Sequence, residues 1–188
     1  MAGRAGALLE LTRPTNLVIG AATVPLGATM VLGDAWTSES LTVTALYASS
    51  VVAFMAAGNA MNDLRDVEVD KVVHPHRPLP SGRVSRPLAA RFTAGLWMLS
   101  LLTLILGTAG LATSMPDAPM FAPVIIWVVA AVLMMAYDHG PALKDRGLSG
   151  NVSISVLVGA VVLFGAAGAG SWAHPVALAA AIVAALVN

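Results

Sequence analysis

The sequence predicts an all-α protein, a polytopic bundle of about six transmembrane helices, and three observations carry that expectation. Of its 188 residues, 57% are hydrophobic and 11% charged, with a mean hydropathy of +0.81. That much apolar surface calls for a bilayer as solvent. Apolar segments of membrane-crossing length recur along the chain, and the ten Lys and Arg residues fall before the first, in alternate connections, or at the start of the third.

Taken in order, the segments are Asn16–Gly33, Leu41–Asn62, Leu88–Ala112, Pro119–Tyr137, Ser149–Gly170 and His174–Asn188. The first five approach the ~20 residues that cross the hydrocarbon core, and the sixth is short. Internal Pro25, Gly27, Gly159 and Gly165 are compatible with lipid, where small residues let helices approach closely. Arg4 and Arg13 precede the first span. Arg65, Lys71, Arg77, Arg83 and Arg86 follow the second, Arg91 stands at the start of the third, and Lys144 and Arg146 follow the fourth. The other connections carry none, so the positive-inside rule places the N-terminus and both long charged connections in the cytoplasm. Glu10 and Arg13 interrupt the opening MAGRAGALLELTRPTN, which does not read as a signal peptide.

The absence of cysteine excludes disulfides and thiolate metal sites. The zero net charge argues against nucleic acid as a partner. Charge is instead concentrated: Gly58 to Ser85, GNAMNDLRDVEVDKVVHPHRPLPSGRVS, together with the adjoining Arg86, holds four of the ten acids and five of the ten bases. Asn62, Asp66 and Asp70 recur every fourth residue. On a helix continuing past the membrane surface they drift by about 40° per step and form one column. Oxygen ligands without His or Cys suit Mg²⁺, often shared with substrate phosphates. Arg77, Arg83 and Lys144 offer positive charge to the same phosphates. Asn59 and Asn62, at the edge of an apolar span, need partners. A plainer reading, that these charges solvate a loop, suits Asp63 and Glu68 about as well as a functional one. It suits Asp66 and Asp70 poorly.

NDLRDVEVD resembles the first aspartate-rich motif, NDxxDxxxD, of the UbiA superfamily of intramembrane prenyltransferases. RPTN at Arg13–Asn16 is similar to the family's start, and HRPLPSGRVS to its continuation after the aspartates. YDHGPALKDRGLSGN, from Tyr137 to Asn151, resembles its Y…LK…G…GN signature. The resemblance covers the whole chain, residues 1–188, as one partial transmembrane prenyltransferase domain. It implies a nine-helix fold around a central cavity, Mg²⁺, and transfer of a prenyl group from its diphosphate to an acceptor. It further implies that Asn62, Asp66 and Asp70 hold Mg²⁺ and diphosphate. Lys144 and Arg77 would contact the diphosphate, and Tyr137 and Asn151 would line the pocket. Asn59, Asp63 and Arg83 complete the candidate substrate-binding set.

DVEVDK followed by HPHRPLPSGRVS looks most like the members that add geranylgeranyl to geranylgeranylglyceryl phosphate in ether-lipid synthesis. Aromatic or tetrapyrrole acceptors remain alternatives, as does a non-catalytic membrane protein that binds prenyl diphosphate. The family's second motif, DxxxD, has no counterpart, since Asp138 and Asp145 are seven apart. The chain therefore reads as the first two-thirds of such an enzyme, either a fragment or a short form. His139 and His174 are isolated and read as interfacial. His74 and His76 are open between structural and phosphate-facing roles. Trp36, Trp97, Trp127 and Trp172 read as packing or interfacial anchors, and the nine Met residues as packing.

Overall fold

The computed structural model describes residues 3–138, 143 and 146–187. Every regular helix of more than one turn among them is α-helical, with no strand. A short helix α1 (Arg4–Leu11) precedes α2 (Pro14–Leu32), which starts on a proline whose missing N–H is one of the unbonded donors of a first turn. Helix α3 (Ser38–Arg65) begins with a reciprocal cap: Thr37 Oγ1 accepts from the Ser40 N–H at 3.1 Å, and Ser40 Oγ from the Thr37 N–H at 2.9 Å. Then come α4 (Val67–Val73), α5 (Arg86–Ser114), α6 (Phe121–Asp138), α7 (Leu148–Gly168) and α8 (Pro175–Leu186). Five of these, α2, α3, α5, α6 and α7, are long and apolar enough to cross a membrane, and α8 is the shorter apolar helix expected at the end.

Helix α3 is the centre of the bundle, flanked by α5 and α2 and also touching α6 and α7. Its contact with α5 is tied by a reciprocal pair. Ser50 Oγ donates to the Ser100 carbonyl at 2.8 Å, and Ser100 Oγ to the Ser50 carbonyl at 2.9 Å. Both serines are fully buried, and an unbonded hydroxyl there would be costly. Helices α2 and α7 touch backbone to backbone. The site of a Cβ on Gly165 is filled by the Val24 carbonyl, and that on Gly27 by the Val162 carbonyl. Leu101, Leu102 and Ile105 of α5 and Ile125, Val128 and Val132 of α6 point outward, as lipid-facing residues do.

The structure corrects the expectation of one continuous helix through Asn62, Asp66 and Asp70. The helix breaks at Asp66, which has φ −87° and ψ 7° and caps both α3 and α4. Bonds persist on either side, from Asp66 N to Asn62 O at 3.0 Å and from Asp70 N to Asp66 O at 2.8 Å. The break is therefore a bend rather than a chain reversal. It turns Val67 onto a cluster with Ala7, Leu11, Ala60, Leu79 and Val84. Helix α4 stops at His74, whose successor Pro75 disfavours a helical conformation before it.

Candidate active site

The Pro- and Arg-rich segment from His74 to Ser85 folds back. Val84 N donates to Pro78 O at 3.0 Å, and Leu79 and Val84 are buried against α1 and the end of α3. Arg77 is thereby held beside α3 and α4. Its Nη1 donates to Asp70 Oδ2 at 2.7 Å and lies 3.7 Å from Asp63 Oδ1. Asp63 Oδ1 also accepts from Arg13 Nη2 at 2.6 Å. Arg13, Asp63, Arg77 and Asp70 thus alternate in charge, and both carboxylates are 4% exposed. A buried carboxylate needs such partners.

Arg13 has a left-handed backbone, φ 52° and ψ 68°. For a residue with a Cβ that conformation costs about 1 kcal/mol or more. Two contacts hold it: its own guanidinium on Asp63, and Asn59 Nδ2, which donates to the Thr12 carbonyl at 2.8 Å. Asn59 therefore has the partner that its position demanded, and it positions the α1–α2 turn. Arg83 is turned away from the acids. It grips both oxygens of Glu10, at 2.7 and 2.9 Å, and donates to the His76 carbonyl at 2.6 Å.

That hydrogen bond from Arg83 holds the Glu10 carboxyl below its ordinary value of 4.5. A depressed folded-state value means that the clamp stabilises the fold above the ordinary value and is lost as pH falls through the lowered one. With no native cysteine, a nitroxide on Ala5→Cys would report on α1 alone. Its electron-spin spectrum is expected to become more mobile as the pH is taken below the ordinary carboxyl value of 4.5 and through the lowered one. The step should vanish in Arg83→Ala, and an identical step there would refute the clamp.

Asn62 and Asp66 are half-buried at the α3–α4 bend beside this network. Tyr137, half-buried, ends α6, and Asn151, exposed, lies in the first turn of α7. The antiparallel run of helices brings both to the bundle end where α2 starts and α3 stops. Lys144 lies outside the described residues. Beneath this end is an apolar cavity of about 290 Å³ between α3, α6 and α7. Phe54, Trp127, Met134, Leu157 and Phe164 line it, and Asn16 of α2 is its polar contributor. Asn16 N donates to the Arg13 carbonyl at 2.9 Å, so cavity and charged network meet at the first turn of α2.

The site thus includes Arg13 and Asn16, which charge spacing alone did not select, although the RPTN stretch contains both. Asp63, off the expected column, joins the two arginines. The all-oxygen donors Asn62, Asp66 and Asp70 fit a hard divalent cation chemically. No group of three His, Cys, Asp or Glu residues among the described ones is gathered as a metal site, and a cation reaching Asp70 competes with Arg77.

The chain is 38% identical over 162 residues to the digeranylgeranylglyceryl phosphate synthase of Methanopyrus kandleri, covering 86% of this chain and 52% of that protein. It is 37% identical over 175 residues to the enzyme of that name from Ignicoccus hospitalis, covering 93% and 51%. The match to the one from Methanoculleus marisnigri is 33% over 165 residues, covering 87% and 52%. The chain spans about half the length of these curated relatives. A solved structure from work on digeranylgeranylglyceryl phosphate synthase in membranes superimposes with a TM-score of 0.71 at 26% identity, covering 97% of this chain and 57% of that one. The sequence pattern of the UbiA prenyltransferase family matches residues 18–187. With its five membrane-length helices, the chain is an integral membrane protein that belongs to the UbiA prenyltransferase family.

Proposed function

We propose that this chain takes part in Mg²⁺-dependent transfer of a geranylgeranyl group from its diphosphate to geranylgeranylglyceryl phosphate, in ether-lipid synthesis. The observation that carries the reading is the junction of a charged network with an apolar cavity at Arg13–Asn16. A prenyl diphosphate has the same two parts, an anionic head and a hydrocarbon tail. Arg77, between Asp63 and Asp70, offers a guanidinium to phosphate oxygens. Asn62, Asp66 and Asp70 would hold Mg²⁺, whose charge favours departure of the diphosphate. The allylic C–O bond breaks, the acceptor hydroxyl oxygen bonds to the freed carbon, and its proton is lost. The cavity walls keep water from that carbon.

The basic connections support a cytoplasmic site and N-terminus. The named relatives support the glyceryl phosphate acceptor over aromatic or tetrapyrrole ones. Residues 1–188 form one membrane domain in this reading.

The test is transfer by the purified protein in liposomes, with labelled geranylgeranyl diphosphate, geranylgeranylglyceryl phosphate and Mg²⁺. The expected result is labelled digeranylgeranylglyceryl phosphate that disappears with chelator. Labelling of an aromatic acceptor alone would overturn the acceptor assignment. Failure to bind the diphosphate with Mg²⁺ present would overturn the whole reading, and binding without transfer would overturn catalysis by this chain.

A further inference from the structure

We propose that Phe164 is the floor that sets how long a hydrocarbon chain the cavity accepts, and that Tyr47 is the positioning residue that holds it there. The inference rests on the prenyl-diphosphate reading above and adds the length selectivity of the tail.

The deepest lining residues of three helices lie at similar depth. At a rise of about 1.5 Å per residue, Phe164 is ~20 Å along α7 from Asn151. By the same measure, Ile126 is ~18 Å along α6 from Asp138, and Val51 ~22 Å from Asp66. All three line the cavity, and by this measure they lie toward the bundle end opposite Asn16.

Phe164 is the ring among them, 3% exposed, and it meets Tyr47 edge-on with centroids 5.0 Å apart and planes at 82°. Tyr47 is fully buried, and its hydroxyl lies 3.2 Å from Thr108 Oγ1. Its ring is wedged between Gly107 and Gly168. A Cβ on Gly107 would stand 3.2 Å from the ring, and one on Gly168 would overlap it. Tyr47 has no space to withdraw into, so Phe164 cannot tilt downward to lengthen the cavity.

The polar end differs. Met134 lies over Gly58, where a Cβ would come within 2.9 Å of its terminal methyl. A thioether chain adapts its shape readily. The cavity is compliant at Met134 near its mouth and rigid at the Phe164–Tyr47 pair, and that arrangement discriminates by length. An isoprene unit adds five carbons, and one misplaced methylene in an apolar pocket costs about 10-fold or more.

The test is competition binding of farnesyl, geranylgeranyl and geranylfarnesyl diphosphates to the full chain in nanodiscs with Mg²⁺. Wild type is expected to lose affinity steeply between the geranylgeranyl and geranylfarnesyl compounds. In Phe164→Ala the geranylfarnesyl-to-geranylgeranyl affinity ratio should rise about 10-fold or more. Phe164→Leu should raise it less, and it serves if the alanine variant does not fold. Tyr47→Phe, which removes the Thr108 contact and keeps the ring, should raise the ratio a few-fold without changing farnesyl binding. Wild type that binds all three equally, or folded Phe164 variants with an unchanged ratio, would overturn the floor. Wild type that binds none would instead overturn the prenyl-diphosphate reading.

Discussion

Asp70→Asn is expected to lower transfer at least ~100-fold while the protein still inserts and folds, because it removes a charge and almost no volume. Asp70 is buried and is Arg77's nearer carboxylate, at 2.7 Å against 3.7 Å for Asp63. Without that charge, Arg77 turns to Asp63 and the proposed cation donors lose one of two carboxylates. A charge-assisted hydrogen bond is also lost, worth ~1.5–3 kcal/mol, so the unfolding midpoint should fall by several degrees. Initial rates in liposomes and thermal unfolding in detergent measure the two effects. Arg83→Ala is the informative companion. Arg83 grips Glu10 and not the acids, so its loss should leave the rate within a few-fold of wild type. A rate for Asp70→Asn near that of wild type would remove Asp70 from the site.

Gly165→Val should abolish folding. The Cβ would occupy the place of the Val24 carbonyl, a backbone atom on the facing helix, and Gly27 meets the Val162 carbonyl in the same way. Neither side can yield without separating α2 from α7, so the cost exceeds the ~1–3 kcal/mol typical of an overpacked core. The expected readout is loss of monodisperse protein from detergent extracts. Gly95→Ala is the contrast, since no atom lies within 4 Å of its Cβ position. Alanine there should be neutral or stabilise α5 by about 0.5–1 kcal/mol. Normal yield of Gly165→Val would contradict the close α2–α7 contact.

The spans were legible because hydropathy and punctuation agreed. Pro14, Thr37 and Pro87 stand at helix starts within a few residues of where apolar runs began. The family was legible in NDLRDVEVD and its flanks. What escaped was decided by distant contacts. Leu79 and Val84 are isolated apolar residues in a Pro- and Arg-rich stretch with no periodic pattern, and they are buried because α1 covers them. Asp63 departs from the four-residue column, and its importance comes from Arg13, fifty positions away, on a turn that local preference disfavours. Arg83 and Arg77 are equivalent as loop arginines in the sequence, and only the fold sets Glu10, 73 positions away, opposite Arg83.

Trp127 ties two properties of the molecule that could otherwise drift apart over generations. Its indole N–H donates to Ser100 Oγ at 2.9 Å, and that same hydroxyl donates across to α3, while the ring forms part of the cavity wall beside Phe54. Exchanging Trp127 for a smaller residue reshapes the cavity and also removes a bond to the seam that joins α3 to α5. Exchanging Ser100 loosens the seam and frees the ring. Substitutions at positions 50, 100 and 127 are therefore expected to be non-additive in stability. A change to this part of the cavity wall is therefore also a change to how α3 and α5 associate.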